Sequence, residues 1–173
     1  MQGDAFERLS RHGESRRAPS NASGMALPLP DGVHNVNPYL VVPDPDGLID
    51  FLTGVLGGRV VQRSVFEGAT THAEVRIGDS MVMIGGSRGG GGSPAMLYVY
   101  VDDCDAAYAR AIAAGAEPLM PPADMFYGDR SGGVKDASGN SWWIATHIED
   151  VPADELARRH EAEQKRRAGS PQA

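Results

Sequence analysis

An internal repeat constrains this chain more than any other feature. Tyr39-Leu-Val-Val-Pro-Asp44-Pro-Asp46 runs into Gly-Leu-Ile-Asp-Phe-Leu, and Tyr98-Val-Tyr-Val-Asp-Asp103-Cys-Asp105 runs into Ala-Ala-Tyr-Ala-Arg-Ala, 59 residues later. Each copy passes from β-branched and aromatic residues, which suit a strand, to acids at a helix start, which suit the helix dipole. The helices then carry one apolar stripe each: Leu48, Leu52, Val55 and Leu56 in the first, and Cys104, Ala107, Tyr108, Ala111 and Ile112 in the second. Gly57-Gly58 and Gly115 stand where helix C-caps belong. Three strand-like runs follow each helix: Arg59–Phe66, Thr71–Ile77 and Met81–Ile84, then Pro118–Pro121, Gly132–Lys135 and Trp142–Thr146. Gly78-Asp79-Ser80 and Gly139-Asn140-Ser141 supply matching turns before the last strand. The order βαβββ therefore occurs twice, an α+β chain of two tandem modules.

A length of 173 residues accommodates one ordinary domain or two small packed modules. The reading divides it into a disordered N-terminal tail over 1–33, a first module over 34–84, a Gly-rich linker over 85–93, a second module over 94–151, and a charged tail, helical or frayed, over 152–173. That last stretch carries helix-type pairs at i,i+4 (Glu155–Arg159, Glu161–Lys165, Glu163–Arg167) but almost no apolar face. The linker lacks the Gly-Lys-Ser/Thr ending of a phosphate loop.

Charge and cysteine usage narrow the partners. Lys and Arg number 16 against 23 Asp and Glu, for a net charge of −7, and residues 25–149 alone carry −8. So acidic a body is a poor nucleic-acid binder. The longest apolar runs, such as Leu97–Val101, fall far short of the roughly 20 residues of a membrane helix. Met1–Ser23 lacks the apolar stretch of a secretory signal. Cys104 is the single cysteine, so no intramolecular disulfide can form, which fits a reducing compartment. The expectation is a cytoplasmic protein with a small-molecule partner, no nucleic acid and no membrane, and with a homodimer left open.

Four segments then place the chain beside a known family: Pro38-Tyr-Leu-Val-Val, His72-Ala-Glu-Val-Arg-Ile-Gly-Asp-Ser80, Tyr127-Gly-Asp-Arg130 and Val134-Lys-Asp-Ala-Ser-Gly-Asn-Ser-Trp-Trp-Ile-Ala-Thr-His147-Ile-Glu-Asp150. Over about residues 35–150 the chain resembles the glyoxalase/bleomycin-resistance/dioxygenase (vicinal oxygen chelate) superfamily, and within it the PhnB-like branch. The resemblance implies that the two βαβββ modules form curved mixed sheets around a small-molecule cavity. It also implies where metal-using members place their ligands: the slots fall at Asn37, Met96, Trp143 and either Val82 or Met83. None is a His or a carboxylate, so no metal and no other cofactor is expected at the usual site.

Period-two alternation tells what such a cavity would offer instead. If Trp143 faces inward, so do Ala145, His147 and Glu149; Asn37 brings Tyr39, and Met96 brings Tyr98 and Tyr100. Met, Trp and Tyr walls with few polar groups suit an aromatic or partly apolar ligand. His147 with Glu149, and His72 with Glu74, share strand faces and are the general acid–base candidates; for His72 and Glu74 a polar pair on an outer face is the competing reading. Tyr127 and Arg130 are candidates to hold a ligand's polar end, Arg130 as a fork for carboxylate or phosphate, against a role in ordering their loop with Asp129. Cys104 reads as a small buried residue. The function expected is a metal-independent enzyme of isomerase, lyase or cyclase type, with proton transfer on an aromatic or partly apolar metabolite. A non-catalytic drug- or metabolite-sequestering protein, and a metal-dependent lyase or dioxygenase with relocated ligands, are the alternatives.

Overall fold

The acids before each helix do what their position allows. Asp44 caps α1 (Pro45–Leu56), its carboxylate accepting from Gly47 N at 3.0 Å, and Pro45 fills the first turn, where its missing N–H is no loss. Asp103 caps α2 (Cys104–Ala113) through Ala106 N at 2.9 Å. Gly57 ends α1 at φ 69°, the left-handed cap that a side chain would strain. Around these helices a computed structural model describes residues 29–30, 32–87, 89 and 91–169, with residues from 32 onward in one compact unit. The tail expected to be disordered lies almost wholly outside the described residues.

The strands are β1 (Tyr39–Val42), β2 (Arg59–Phe66), β3 (Ala69–Ile77), β4 (Ser80–Gly86), β5 (Met96–Tyr100), β6 (Glu117–Asp124), β7 (Asp129–Lys135) and β8 (Ser141–His147). They form two four-stranded sheets, β1-β4-β3-β2 and β5-β8-β7-β6. In each, the first strand pairs parallel to the last and the other pairings are antiparallel. The architecture is two tandem βαβββ modules, each a mixed sheet with one helix. A third helix, α3 (Ala153–Ala168), follows the second sheet and buries none of its residues. The i,i+4 pairs foreseen there all form, at 2.6–2.8 Å.

Several boundaries move for physical reasons. β4 continues through Gly85 and Gly86, opposite Val41 and Val42, because Tyr39 lies over Gly85: a Cβ there would meet the Tyr39 hydroxyl at 2.8 Å. β6 is eight residues long despite Pro118, Pro121 and Pro122. It is an edge strand, where missing donors cost little, and its register breaks on either side of Met120. β7 begins at Asp129, and Gly132 and Gly133 sit inside it because Tyr108 and Pro122 crowd one and the Trp143 ring covers the other. Of the second helix stripe, Cys104, Ala107 and Ala111 are buried, but Ile112 is exposed.

The core lies between each sheet and its helix. Leu48, Leu52 and Val55 pack on Val75, Val82 and Ile84, and Ala107 and Ala111 on Val134, Trp142 and Ile144, in one continuous cluster. Each buried aliphatic chain contributes about 1.5–3 kcal/mol. The modules join on this helical side. Phe51 meets Trp142 with ring centroids 5.8 Å apart, and Arg110 donates twice to Val55 O, satisfying a carbonyl in the last turn of α1. Trp142 adds a hydrogen bond from its indole to Asp136 at 2.8 Å. The opposite sheet faces carry the residues left over for function.

Candidate functional site

On the open face of the second sheet, β7 presents Asp129 opposite His147 of β8, and Gly133 opposite Trp143. Asp129 is 3% exposed and accepts from three side chains: His147 Nδ1 at 2.8 Å, Tyr100 Oη at 2.8 Å and Tyr98 Oη at 3.1 Å. Tyr98 Oη lies 3.3 Å from Tyr127 Oη, and His147 Nε2 lies 3.0 Å from Asp150, whose side chain is fully exposed. Burial alone would raise the Asp129 carboxyl, but the bonds from His147, Tyr100 and Tyr98 outweigh it and hold the group below the ordinary carboxylate value. Asp129 and then Asp150 raise His147 above the ordinary imidazole value. Burial, and then Tyr127, raise Tyr98, while the bond to Asp129 and then burial raise Tyr100. The cluster is a buried carboxylate bonded to one imidazole and two neutral phenols.

Tyr98 and Tyr127 connect this cluster to a groove of about 580 Å³. Met96, Met120, Met125, Phe126 and Trp143 supply its apolar walls, and Glu163, Arg166 and Arg167 of α3 line its remaining side. The helix is held there by its side chains. Arg159 forks onto Glu149 at 2.7 and 2.8 Å, and His160 meets Phe126 with centroids 5.5 Å apart. The turn before β7 is pinched against the end of β8: Gly128 O accepts from Ile148 N and Glu149 N, and Gly128 adopts φ 96°. A Cβ on Gly128 would collide with Glu149 O, so only glycine lets Tyr127 and Asp129 reach their places.

The residues singled out from sequence separate into groups. Trp143, Tyr98, Tyr100, Tyr127 and His147 come together on the second sheet, with Met96 at the groove. Glu149 does not join them. β8 ends at His147, so alternation no longer applies, and Glu149 turns to Arg159, which holds its carboxyl below the usual range. Arg130 points to the other face of β7, where Asp105 (2.5 and 2.7 Å) and Asp124 (2.8 Å) engage its guanidinium, and it is not brought to the groove. In the first module Tyr39 stacks on His72 at 5.8 Å, with His72 Nε2 3.8 Å from Glu74, on a different sheet from His147. Asn37 precedes β1 and folds back on His34, accepting from its N–H at 3.1 Å and donating to its carbonyl at 2.5 Å. Sequence reasoning missed Asp129 as the centre, Met120, Met125 and Phe126 as walls, and α3 as part of the site. Extending β7 back to Tyr127-Gly128-Asp129 would have put Asp129 in phase with Gly133 and opposite His147.

Comparison with known proteins decides the family. Residues 32–144 match the model of the Glyoxalase/Bleomycin resistance protein/Dioxygenase superfamily. The chain belongs to this superfamily. An uncharacterized protein of Mycobacterium bovis, Mb0911c, is 32% identical over 137 residues, spanning 70% of this chain and 88% of the relative. The crystal structure of TioX from Micromonospora sp. ML1 is similar at 30% identity and a TM-score of 0.56, covering 65% of this chain and 99% of that one. The PhnB protein from Bacillus cereus shares the fold at 19% identity and a TM-score of 0.54, covering 65% and 99%.

The superfamily's metal-using members set the donor chemistry against which the slots are judged. Here Met96 is a 76%-exposed thioether, the Trp143 ring lies on Gly133, Met83 sits opposite Tyr39, and Asn37 is tied to His34. A thioether, an indole and an amide bonded to backbone do not fit a hard divalent cation. Among the described residues, no group of three or more His, Cys, Asp or Glu is arranged to hold a metal ion.

Proposed function

We propose that this protein binds a partly apolar aromatic molecule in the groove between the second sheet and α3, and that recognition of a hydroxyl or N–H on that molecule is its central chemistry. The observation that carries this reading is the direction of the hydrogen bonds. An ionised Asp129 has no hydrogen to give, so Tyr98 and Tyr100 donate to it. The Tyr98 oxygen is then left to accept from Tyr127, and the oxygen of Tyr127, a residue that lines the groove, keeps its lone pairs to accept from a ligand. A volume of about 580 Å³ suits a two-ring molecule. Asp129 with three donors is a rigid base for this chain of hydroxyls. Holding without turnover, the sequestration reading, is what so satisfied a network favours. Assignment to the PhnB-like branch, which rests on the segments that begin at Pro38, His72, Tyr127 and Val134, is part of this proposal.

A second reading has its own observation. His147 is half exposed, and among the described residues its Nε2 is held only by the exposed Asp150, so a protonated imidazole at the rim can act as a general acid in a metal-independent isomerase or lyase. The test begins with two-ring probes. Fluorescence of Trp143 should be quenched by 2-naphthol, which should bind about five- to tenfold more tightly than 2-methoxynaphthalene, the value of one hydrogen bond of about 1–1.5 kcal/mol. Tyr127→Phe should erase that preference. Equal binding of the two probes in the native protein would refute the hydroxyl reading. If a co-purifying ligand is converted by the native protein and not by His147→Gln, the enzyme reading replaces sequestration.

A further inference from the structure

Helix α3 has no buried residue, yet it forms one wall of the groove. Its three contributions there are all charged. Glu163 is only 16% exposed and accepts from Arg166 Nε and Nη2 at 2.8 and 2.7 Å, and from Arg167 Nε at 2.7 Å. Two guanidinium groups thus share one carboxylate, which they hold down to about 2. Arg167 uses a single nitrogen in this, and its terminal amino groups donate no hydrogen bond among the described residues. A basic spot therefore faces the Met96–Trp143 wall in a chain whose net charge is −7. A helix that packed only for stability would place apolar side chains toward the sheet. This one places cations there.

We infer that α3 selects the ligand's charge: Arg167, beside Arg166, receives a carboxylate, sulfonate or phosphate on an aromatic molecule whose rings lie against Trp143. This rests on the groove being the binding site, and adds that the ligand is an anion and that the C-terminal helix is what recognises it. Glu163 is the internal competitor, occupying the guanidinium groups until a ligand anion shares them.

Two probes with the same rings separate charge from shape: 8-anilinonaphthalene-1-sulfonate, an anion, and N-phenyl-1-naphthylamine, its neutral counterpart. Both are titrated by their own fluorescence into the full-length chain. Arg167→Gln should weaken the sulfonate about three- to fivefold, the size of one exposed charge pair, and leave the neutral probe unchanged. Glu163→Gln should tighten the sulfonate or leave it as it is, and salt should weaken the sulfonate alone. Trp143→Ala, checked for folding by circular dichroism, should weaken both probes. If Arg167→Gln and salt affect the two probes alike while Trp143→Ala weakens both, the role of α3 is overturned and the groove stands. If Trp143→Ala, shown to be folded, spares both probes, or if neither probe binds the native chain, the groove reading falls and this inference with it.

Discussion

At the scale of single residues, Asp129 is the centre of the site. A buried carboxylate is costly unless its lone pairs are used, and here an imidazole and two phenols use them. Asp129→Asn keeps the shape but sets an amide N–H against a phenol that must donate. It should destabilise the fold by about 2–3 kcal/mol, the cost of losing charged hydrogen bonds, measured by urea unfolding. The same substitution should return His147 toward 6.5 in an NMR titration, and an unchanged midpoint would show that Asp129 does not govern the imidazole. The linkage has a definite sign. His147 is raised on folding, so its contribution is complete below the unfolded value and fades as pH climbs through the folded one. Asp129 is depressed, so its contribution is present above the unfolded carboxylate value and fades as pH falls through the folded one. Melting temperature should therefore decline above about pH 6.5 in the native chain, and His147→Gln should flatten that decline. Gly128→Ala should cost about 2 kcal/mol or more, from a strained φ and a collision with Glu149 O that backbone cannot relieve.

At the scale of elements, the repeat made most of the fold legible. Aspartates ahead of each apolar stripe placed both helices, and turn glycines placed the last hairpins, because capping and turn chemistry are local. What was not legible depends on partners distant in sequence. Gly132 and Gly133 look like a break in a strand until Tyr108 and Trp143 are known to cover them. The prolines of β6 look like a loop until the strand is known to lie at an edge. Glu149 looks like the neighbour of His147 until β8 ends and Arg159 arrives from α3. The helix itself was legible as a charged helix, but no local pattern says that a solvated helix returns to a groove. Its docking through Arg159–Glu149 and His160–Phe126 gives a prediction. Arg159→Gln should speed amide hydrogen exchange across 153–168 and leave β7 and β8 protected. Equal exchange in the two proteins would mean that the fork does not hold the helix.

At the scale of the whole molecule, two modules share one helical core and leave two open sheet faces of different chemistry. The first carries Tyr39, His72 and Glu74; the second carries the tyrosines, Asp129, His147 and Trp143. The superfamily's ligand slots fall on Asn37, Met96, Trp143 and Val82 or Met83, which are not metal donors. Metal analysis of purified protein should thus find well below one equivalent, and chelation should leave the melting temperature unchanged, because a ligand that stabilises the folded state raises it by mass action. No helix among the described residues is long and apolar enough to cross a membrane. The central claim is that the second sheet and α3, not the first sheet, form the binding site, and methionine methyl groups report on it directly. Met96, Met120 and Met125 line the groove, Met83 lies on the first sheet opposite Glu74, and Met81 is buried. In a chain labelled at methionine methyls and titrated with 2-naphthol, the resonances of Met96, Met120 and Met125 should move together while Met81 and Met83 stay still. Movement of Met83 alone would place the ligand beside His72 and Glu74 and contradict the account.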